Sequence, residues 1–364
     1  MQPLMSAPYT NGTMPPMLDE EITDTCAWKR GGISCEDWLI PFSEACVAEL
    51  DTVVDSIRKD PQPVSSLAPT NFSLAACTAV MAQVRVKLQH QGGLAVLQRV
   101  PVERYSVAEN KAIGWLLARL LGQVVAQKWD GTVLYDVKDS GKPLGYGVRR
   151  SVTNLGQPFH TDGGWLGLPP AFVGLFCLQT AKEGGLSRFV SLLTVHNELR
   201  RRYPDLLTRL YGPFWWDRQA EHAADDIRVS SQPVFSYHGN TLLARYYEDY
   251  VSNGYKLAHT ALDAAGVNAL AAMREIIEAP ENRVEFRLEA GQLQYLNNRQ
   301  FAHARTAFVD NPDAQVQRHM LRLWNRDEGT SDLEGQGAIQ DQGYIGRKTA
   351  TLGVTDLAGR EELR

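Results

Sequence analysis

The run PFHTDGG, Pro158 to Gly164, puts an imidazole and a carboxylate two residues apart. If that segment is extended, His160 and Asp162 project from one face and can grip a single ion. Two imidazoles and one carboxylate on one face of an octahedron form a donor set that keeps iron(II) open, leaving positions for a bidentate cosubstrate and for dioxygen. A third ligand must come from elsewhere. His303 is the best placed of the other histidines, 141 residues beyond Asp162, after the apolar stretch Gln292 to Leu296 and in a polar, turn-like setting. The plain alternative for the His160 and Asp162 pair is a surface turn carrying a helix cap. Gly163 and Gly164 weigh against that alternative, because paired glycines let the backbone come close to a metal.

Cations follow at a telling spacing. In RHMLRLW, Arg318, Met320, Arg322 and Trp324 alternate with His319, Leu321 and Leu323, the period-two pattern of a strand. Arginines on the inner face of such a strand need an anion, and a carboxylate matches the guanidinium fork; an edge strand with solvated arginines is the alternative. Further pocket candidates are Arg150, in the triplet Arg149 to Ser151, for an anionic substrate group, and Tyr246, in the RYYEDY run from Arg245 to Tyr250, as an aromatic wall. Trp215 and Trp216 read as pocket lining or as packing, and Arg305 as a brace for the His303 segment. The other six histidines, His90, His196, His222, His238, His259 and His319, belong to no two-residue ligand pair and read as surface or structural.

The chain that must position these groups has 364 residues, 44% apolar and 22% charged, the profile of a globular protein with one core and elaborations. No apolar run approaches the roughly 20 residues that cross a bilayer. A net charge of -5 offers no field for a phosphate backbone, so a small molecule is expected as partner rather than nucleic acid or membrane, with a homo-oligomer open. The five cysteines are odd in number and lack a C-x-x-C pair, which reads as a cytoplasmic protein with reduced thiols; the spacing of Cys26 and Cys35 fits no zinc site. Residues 1–20 read as a flexible arm. Helices are expected over Glu44 to Arg58, Val107 to Gln127 and Asp263 to Glu278, with a helical insertion near Ser191 to Tyr211. Strands are expected at Gly92 to Val100, Phe172 to Leu178, Val234 to Tyr237, Thr241 to Arg245, Val284 to Leu288, Gln292 to Leu296 and Met320 to Trp324. The fold class is therefore α+β with a mainly β core, an antiparallel barrel or sandwich flanked by helices. From Gly329 onward the chain turns polar and reads as peripheral.

Five segments resemble the family of taurine dioxygenase and 2,4-dichlorophenoxyacetate dioxygenase: Pro158 to Asp162, Pro169 to Ala171, Gly184 to Ser187, Asn298 to Phe308 and Arg318 to Arg322, in the family's order. The resemblance implies a double-stranded β-helix, or jelly roll, over about residues 92–326 within a single domain spanning 21–364. It implies iron(II) at His160, Asp162 and His303, with dioxygen and 2-oxoglutarate as reactants. It further implies that Arg318 and Ser187 hold the far carboxylate of 2-oxoglutarate. Arg322 and Gly163 would lie toward the primary substrate. The expected reaction is hydroxylation of an unactivated C–H bond in an anionic or amino-acid-like metabolite, with release of succinate and carbon dioxide; desaturation or cyclisation in natural-product biosynthesis would use the same set. A zinc hydrolase would want a glutamate base beside the metal, and an inactive scaffold would be expected to have lost a ligand.

Overall fold

The computed structural model describes residues 15–145, 147–222, 225–313 and 316–327. Its larger sheet has seven strands: β1 (Leu39–Ile40), β2 (Leu94–Leu97), β3 (Gln123–Val124), β4 (Tyr135–Val137), β6 (Phe172–Gln179), β14 (Leu293–Asn297) and β17 (His319–Arg326). Their order is β1-β2-β14-β6-β17-β3, with β4 also paired to β17, and only β1 and β2 run parallel. The smaller sheet has four antiparallel strands, β5 (Gln157–His160), β8 (Ser187–Ser191), β13 (Arg283–Phe286) and β15 (Phe301–Arg305), in the order β13-β8-β15-β5. Three two-stranded pairs complete the described strands: β7 (Glu183–Gly184) with β16 (Phe308–Val309), β9 (Pro213–Asp217) with β10 (Val229–Pro233), and β11 (Phe235–His238) with β12 (Thr241–Ala244).

The two faces of the larger sheet have different tasks, and the alternation along its strands assigns them. Leu293, Tyr295, Leu321 and Leu323 join one buried cluster with the helices Glu44–Lys59, Ala75–His90 and Val107–Leu121. Leu296, Met320 and Trp324, of opposite parity, join the other cluster together with Phe159, Phe189 and Phe301 of the smaller sheet. The period-two reading of β17 is borne out from Met320 to Trp324 and turns Arg322 inward with them; Arg318 precedes the strand, beyond a register shift at His319, and lines the inner cavity all the same.

Local signals explain most element ends. Ser43 caps the first of those helices through the Cys46 amide, and Ser106 and Glu109 form a reciprocal capping box on Val107–Leu121. That helix ends at Leu121 rather than near Gln127, because Gly122 turns the chain into β3 against the Arg326 carbonyl, where a side chain would clash. Two long helices went unread in the sequence, besides the single turn Cys35–Trp38. Ala75–His90 spreads its apolar residues around the helix, and Glu248–Leu257 starts within the aromatic run. The helical insertion is Leu192–Arg202 and Pro204–Leu210, packed on the helix Ala264–Glu278. Of the expected arm, residues 1–14 lie outside the described residues; Leu18 donates its amide to the Tyr211 hydroxyl and packs with Met17 against the core. The expected peripheral segment from Gly329 also lies outside them.

Candidate active site

β5 and β15 are neighbours in the smaller sheet, and their register sets His160 directly opposite His303. The two rings lie 4.2 Å apart. His303 therefore does not sit in a turn, as its polar surroundings suggested, but inside a strand whose five residues are all buried. Asp162 follows β5 and returns to the same face. One donor atom from each of His160, Asp162 and His303 falls within 4.8 Å of the others, and all three residues are buried.

The loop that carries Asp162 is pinned from both sides. Its amide donates to Asn298 Oδ1 at 2.8 Å, while Asn298 Nδ2 donates to the Asp162 carbonyl at 2.9 Å and the Pro170 carbonyl at 3.1 Å. Thr161, facing the other way, bonds the backbone of Tyr246 in both directions. Gly163 turns the chain with φ +67°, where a Cβ would press on Leu166 at 3.0 Å and Pro170 at 3.1 Å. Only glycine enters that turn without strain.

Electrostatics leave Asp162 and His303 in metal-binding form. Burial opposes ionisation of Asp162, but the Arg322 cation and His160 outweigh it and hold its carboxyl far below the usual range. Arg322 Nη1 donates to Asp162 Oδ1 at 3.2 Å and Trp324 Nε1 to Oδ2 at 2.9 Å, which fixes the plane of the carboxylate. Burial, helped by His160, pushes the His303 pKa down to about 3, so its imidazole is neutral at physiological pH. His160 Nδ1 pairs with the Pro158 carbonyl at 2.9 Å, while its Nε2 meets Gln157 Nε2 at 2.9 Å and lies 3.6 Å from Asp162 Oδ1. Deprotonated ligands held by outer hydrogen bonds are what a divalent ion requires.

Two cavities meet at this cluster, with His160, Gln157, Ser151 and Arg322 in the linings of both. The first runs between the sheets past Leu175 and Phe189 to Ser187 and Arg318. Arg318 is buried, which pulls its pKa down to about 10, and its Nη1 has no hydrogen-bond partner. Gly184 and Gly185, both with positive φ, bring the β7–β8 turn against its side chain. A buried guanidinium with a free N–H is a site for a carboxylate. The second cavity opens on Asp162 and Gly163 and is walled by Trp165, Tyr247, Tyr250 and Trp324, with Arg149 at its side.

The structure thus brings His160, Asp162, His303, Ser187, Arg318, Arg322 and Gly163 to one place. Arg150 lies outside both linings and pairs with Asp249 at 3.4 Å; its neighbour Arg149 faces the second cavity, paired with Glu221 and stacked on Trp165. Tyr246 is a buried residue whose hydroxyl turns to Glu248 at 3.5 Å, and Tyr247 and Tyr250 form the wall instead. A one-residue shift in each case inverts which side chain looks inward. Arg305, expected to brace the His303 segment, donates to the segment before β5, at the Thr153 carbonyl at 2.8 Å. Trp216 packs against Gly164. Asn298 and Gln157 were not singled out from sequence; Asn298 stood inside a quoted motif, but nothing local marked it as the pin of a loop 136 positions away.

A family model, taurine catabolism dioxygenase TauD, TfdA family, matches residues 62–324. The chain belongs to that family. It is a non-haem iron dioxygenase that works with iron(II) and 2-oxoglutarate. Among curated proteins it is 29% identical over 316 residues to FR-33289 synthase of Streptomyces rubellomurinus, covering 85% of this chain and 91% of that protein. It is 25% identical to taurine hydroxylase-like protein SAT17 of Stachybotrys chartarum, covering 85% of this chain and 81% of that one. These relatives fit a place in secondary metabolism. Among solved structures it shares its fold with an asparagine oxygenase in complex with Fe(II), 2S,3S-3-hydroxyasparagine and succinate (TM-score 0.58, 17% identity, 79% of this chain and 93% of that one). It shares it also with the non-heme iron oxygenase OrfP in complex with Fe and alpha-ketoglutaric acid (TM-score 0.56, 13% identity, 79% and 94%). Among the described residues no helix is long and apolar enough to cross a membrane.

Proposed function

We propose that this chain hydroxylates an unactivated C–H bond of a small anionic or amino-acid-like metabolite, using iron(II) held by His160, Asp162 and His303. The two facing sheets we read as the halves of a double-stranded β-helix in a single domain. The reaction is balanced as substrate, dioxygen and 2-oxoglutarate giving hydroxylated substrate, succinate and carbon dioxide. Its support is the position of the His160, Asp162 and His303 cluster where two cavities meet, one ending on the free N–H of Arg318 and the other walled by aromatic rings beside Arg149.

Iron(II) bound here supplies the coupling of oxidative decarboxylation to C–H cleavage. The chain's own residues do the rest. Arg318 and Ser187 hold the far carboxylate of 2-oxoglutarate and so fix its reach toward the metal. Arg322 and Trp324 keep Asp162 charged and oriented. Tyr247, Tyr250 and Trp165 exclude water from the substrate side, beside the buried ion pair of Arg149 and Glu221. The amino-acid-like assignment draws on the asparagine oxygenase and OrfP, whose complexes hold hydroxylated amino acids. A zinc hydrolase reading finds no glutamate in either cavity lining.

The test is purified protein with iron(II), 2-oxoglutarate and a panel of amino acids and small organic anions, followed by succinate release and product mass. Gain of one oxygen atom identifies hydroxylation, and loss of two hydrogens identifies desaturation. Absence of both iron binding and succinate would refute the proposal.

A further inference from the structure

Gln294 sits on β14, central in the larger sheet, with no solvent exposure at all. Its neighbours in the strand, Leu293 and Tyr295, face the helices, so its own side chain faces the smaller sheet. There it lines the same cavity as Arg318 and Ser187, and it is absent from the lining of the aromatic cavity. Its carboxamide has neither hydrogen-bond partner: both Oε1 and Nε2 are buried and unmatched. Across the sheet the register runs from Gln294 to Leu175 and from Leu175 to Arg322, so an apolar residue separates the amide from Arg322.

A buried amide with no partner is destabilising, and an apolar residue of similar size would fill the position without that cost. A ligand that enters the cavity can supply what is missing. The carboxamide offers two N–H donors and an acceptor oxygen, and the oxygens of a dicarboxylate have more lone pairs than Arg318 and Ser187 can occupy. We infer that Gln294 is a positioning residue for the cosubstrate, its Nε2 donating to an oxygen of 2-oxoglutarate as a third polar contact beside Arg318 and Ser187. The inference rests on the reading of that cavity as the 2-oxoglutarate site. It places Gln294 on the cosubstrate and not on the primary substrate, because the amide faces the Arg318 cavity alone.

The experiment is calorimetric titration of 2-oxoglutarate into the full-length iron(II)-loaded protein under argon, with thermal unfolding of each ligand-free variant in parallel. Gln294→Leu is expected to weaken 2-oxoglutarate about tenfold, as for one lost hydrogen bond to a charged group. Iron affinity should stay unchanged, and the ligand-free melting temperature should hold or rise, since the orphaned amide is gone. Undiminished 2-oxoglutarate affinity in Gln294→Leu overturns the inference, and a lowered melting temperature alongside it assigns Gln294 to packing. Should leucine disturb the fold, Gln294→Met keeps the length of the side chain and must show the same loss. Arg318→Gln separates the two levels: if it too leaves the affinity intact, or if the wild type takes up no 2-oxoglutarate, the cavity assignment itself fails. Loss in Arg318→Gln with none in Gln294→Leu removes only the role of Gln294.

Discussion

At the scale of single residues, the site is built from charges kept in one protonation state by their neighbours. Asp162 is ionised because Arg322 and His160 outweigh its burial, and it is aimed because Trp324 Nε1 holds Oδ2 at 2.9 Å. Trp324→Phe keeps an aromatic ring but removes that donor together with part of the buried indole. Metal affinity is expected to fall about 10- to 100-fold, as for other outer partners of metal ligands, with a lowered melting temperature from the space left; an unaltered iron titration would show that the indole N–H is dispensable. Arg318 is the complementary case, a buried cation awaiting an anion. Arg318→Ala should weaken 2-oxoglutarate binding by about 2–5 kcal/mol, read from the dissociation constant, while leaving iron binding intact.

At the scale of elements, what matters is the join between β5 and the turn after it. Extended backbone puts His160 and Asp162 on one face, and the left-handed Gly163 then bends the chain away beneath Trp324. Gly163→Ala would force φ near +67° on a residue with a Cβ and press on Leu166 and Pro170. The expected cost is about 1–2 kcal/mol of stability, visible in chemical unfolding, with a loss of metal affinity in the same variant because Asp162 shares the turn. The β17 strand was legible for the opposite reason: from Met320 to Trp324 side chains alternate between the two faces. β15 was not, because FAHAR is short and mixes polar with apolar residues, and both its faces are buried by elements distant in sequence.

At the scale of the whole molecule, the larger sheet separates a structural core from a chemical one. Leu321 faces the helix Val107–Leu121, while its neighbours turn the other way, Met320 into the core between the sheets and Arg322 into the cavity. Leu321→Ala is expected to cost about 2–5 kcal/mol of folding stability through the cavity it leaves, yet the surviving folded fraction should bind iron as tightly as the wild type. A second global term comes from His196, remote from the metal cluster. Fully buried, it pairs with the Tyr211 hydroxyl at 2.9 Å, and desolvation pulls its pKa from 6.5 down to about 4. The unfolded chain takes up that proton near pH 6.5 and the folded chain only near pH 4. The contribution is therefore whole above pH 6.5 and is lost as pH falls through that interval, on the order of 1.4 kcal/mol per unit. Unfolding curves across that window should steepen with acid in the wild type and flatten in His196→Gln.

The sequence by itself determined the ligand types, the inward parity of Arg322 and the family, because each is written in neighbours a few positions apart. Tertiary structure alone decided that His303 faces His160 across a strand pair, that Asn298 pins Asp162, and that Arg149 and Tyr247 look inward where Arg150 and Tyr246 do not. It also left Gln294 alone in the cavity. The reason is physical: side-chain direction along one strand repeats every two residues, but which strands meet, and in what register, is set by the burial of the whole chain at once.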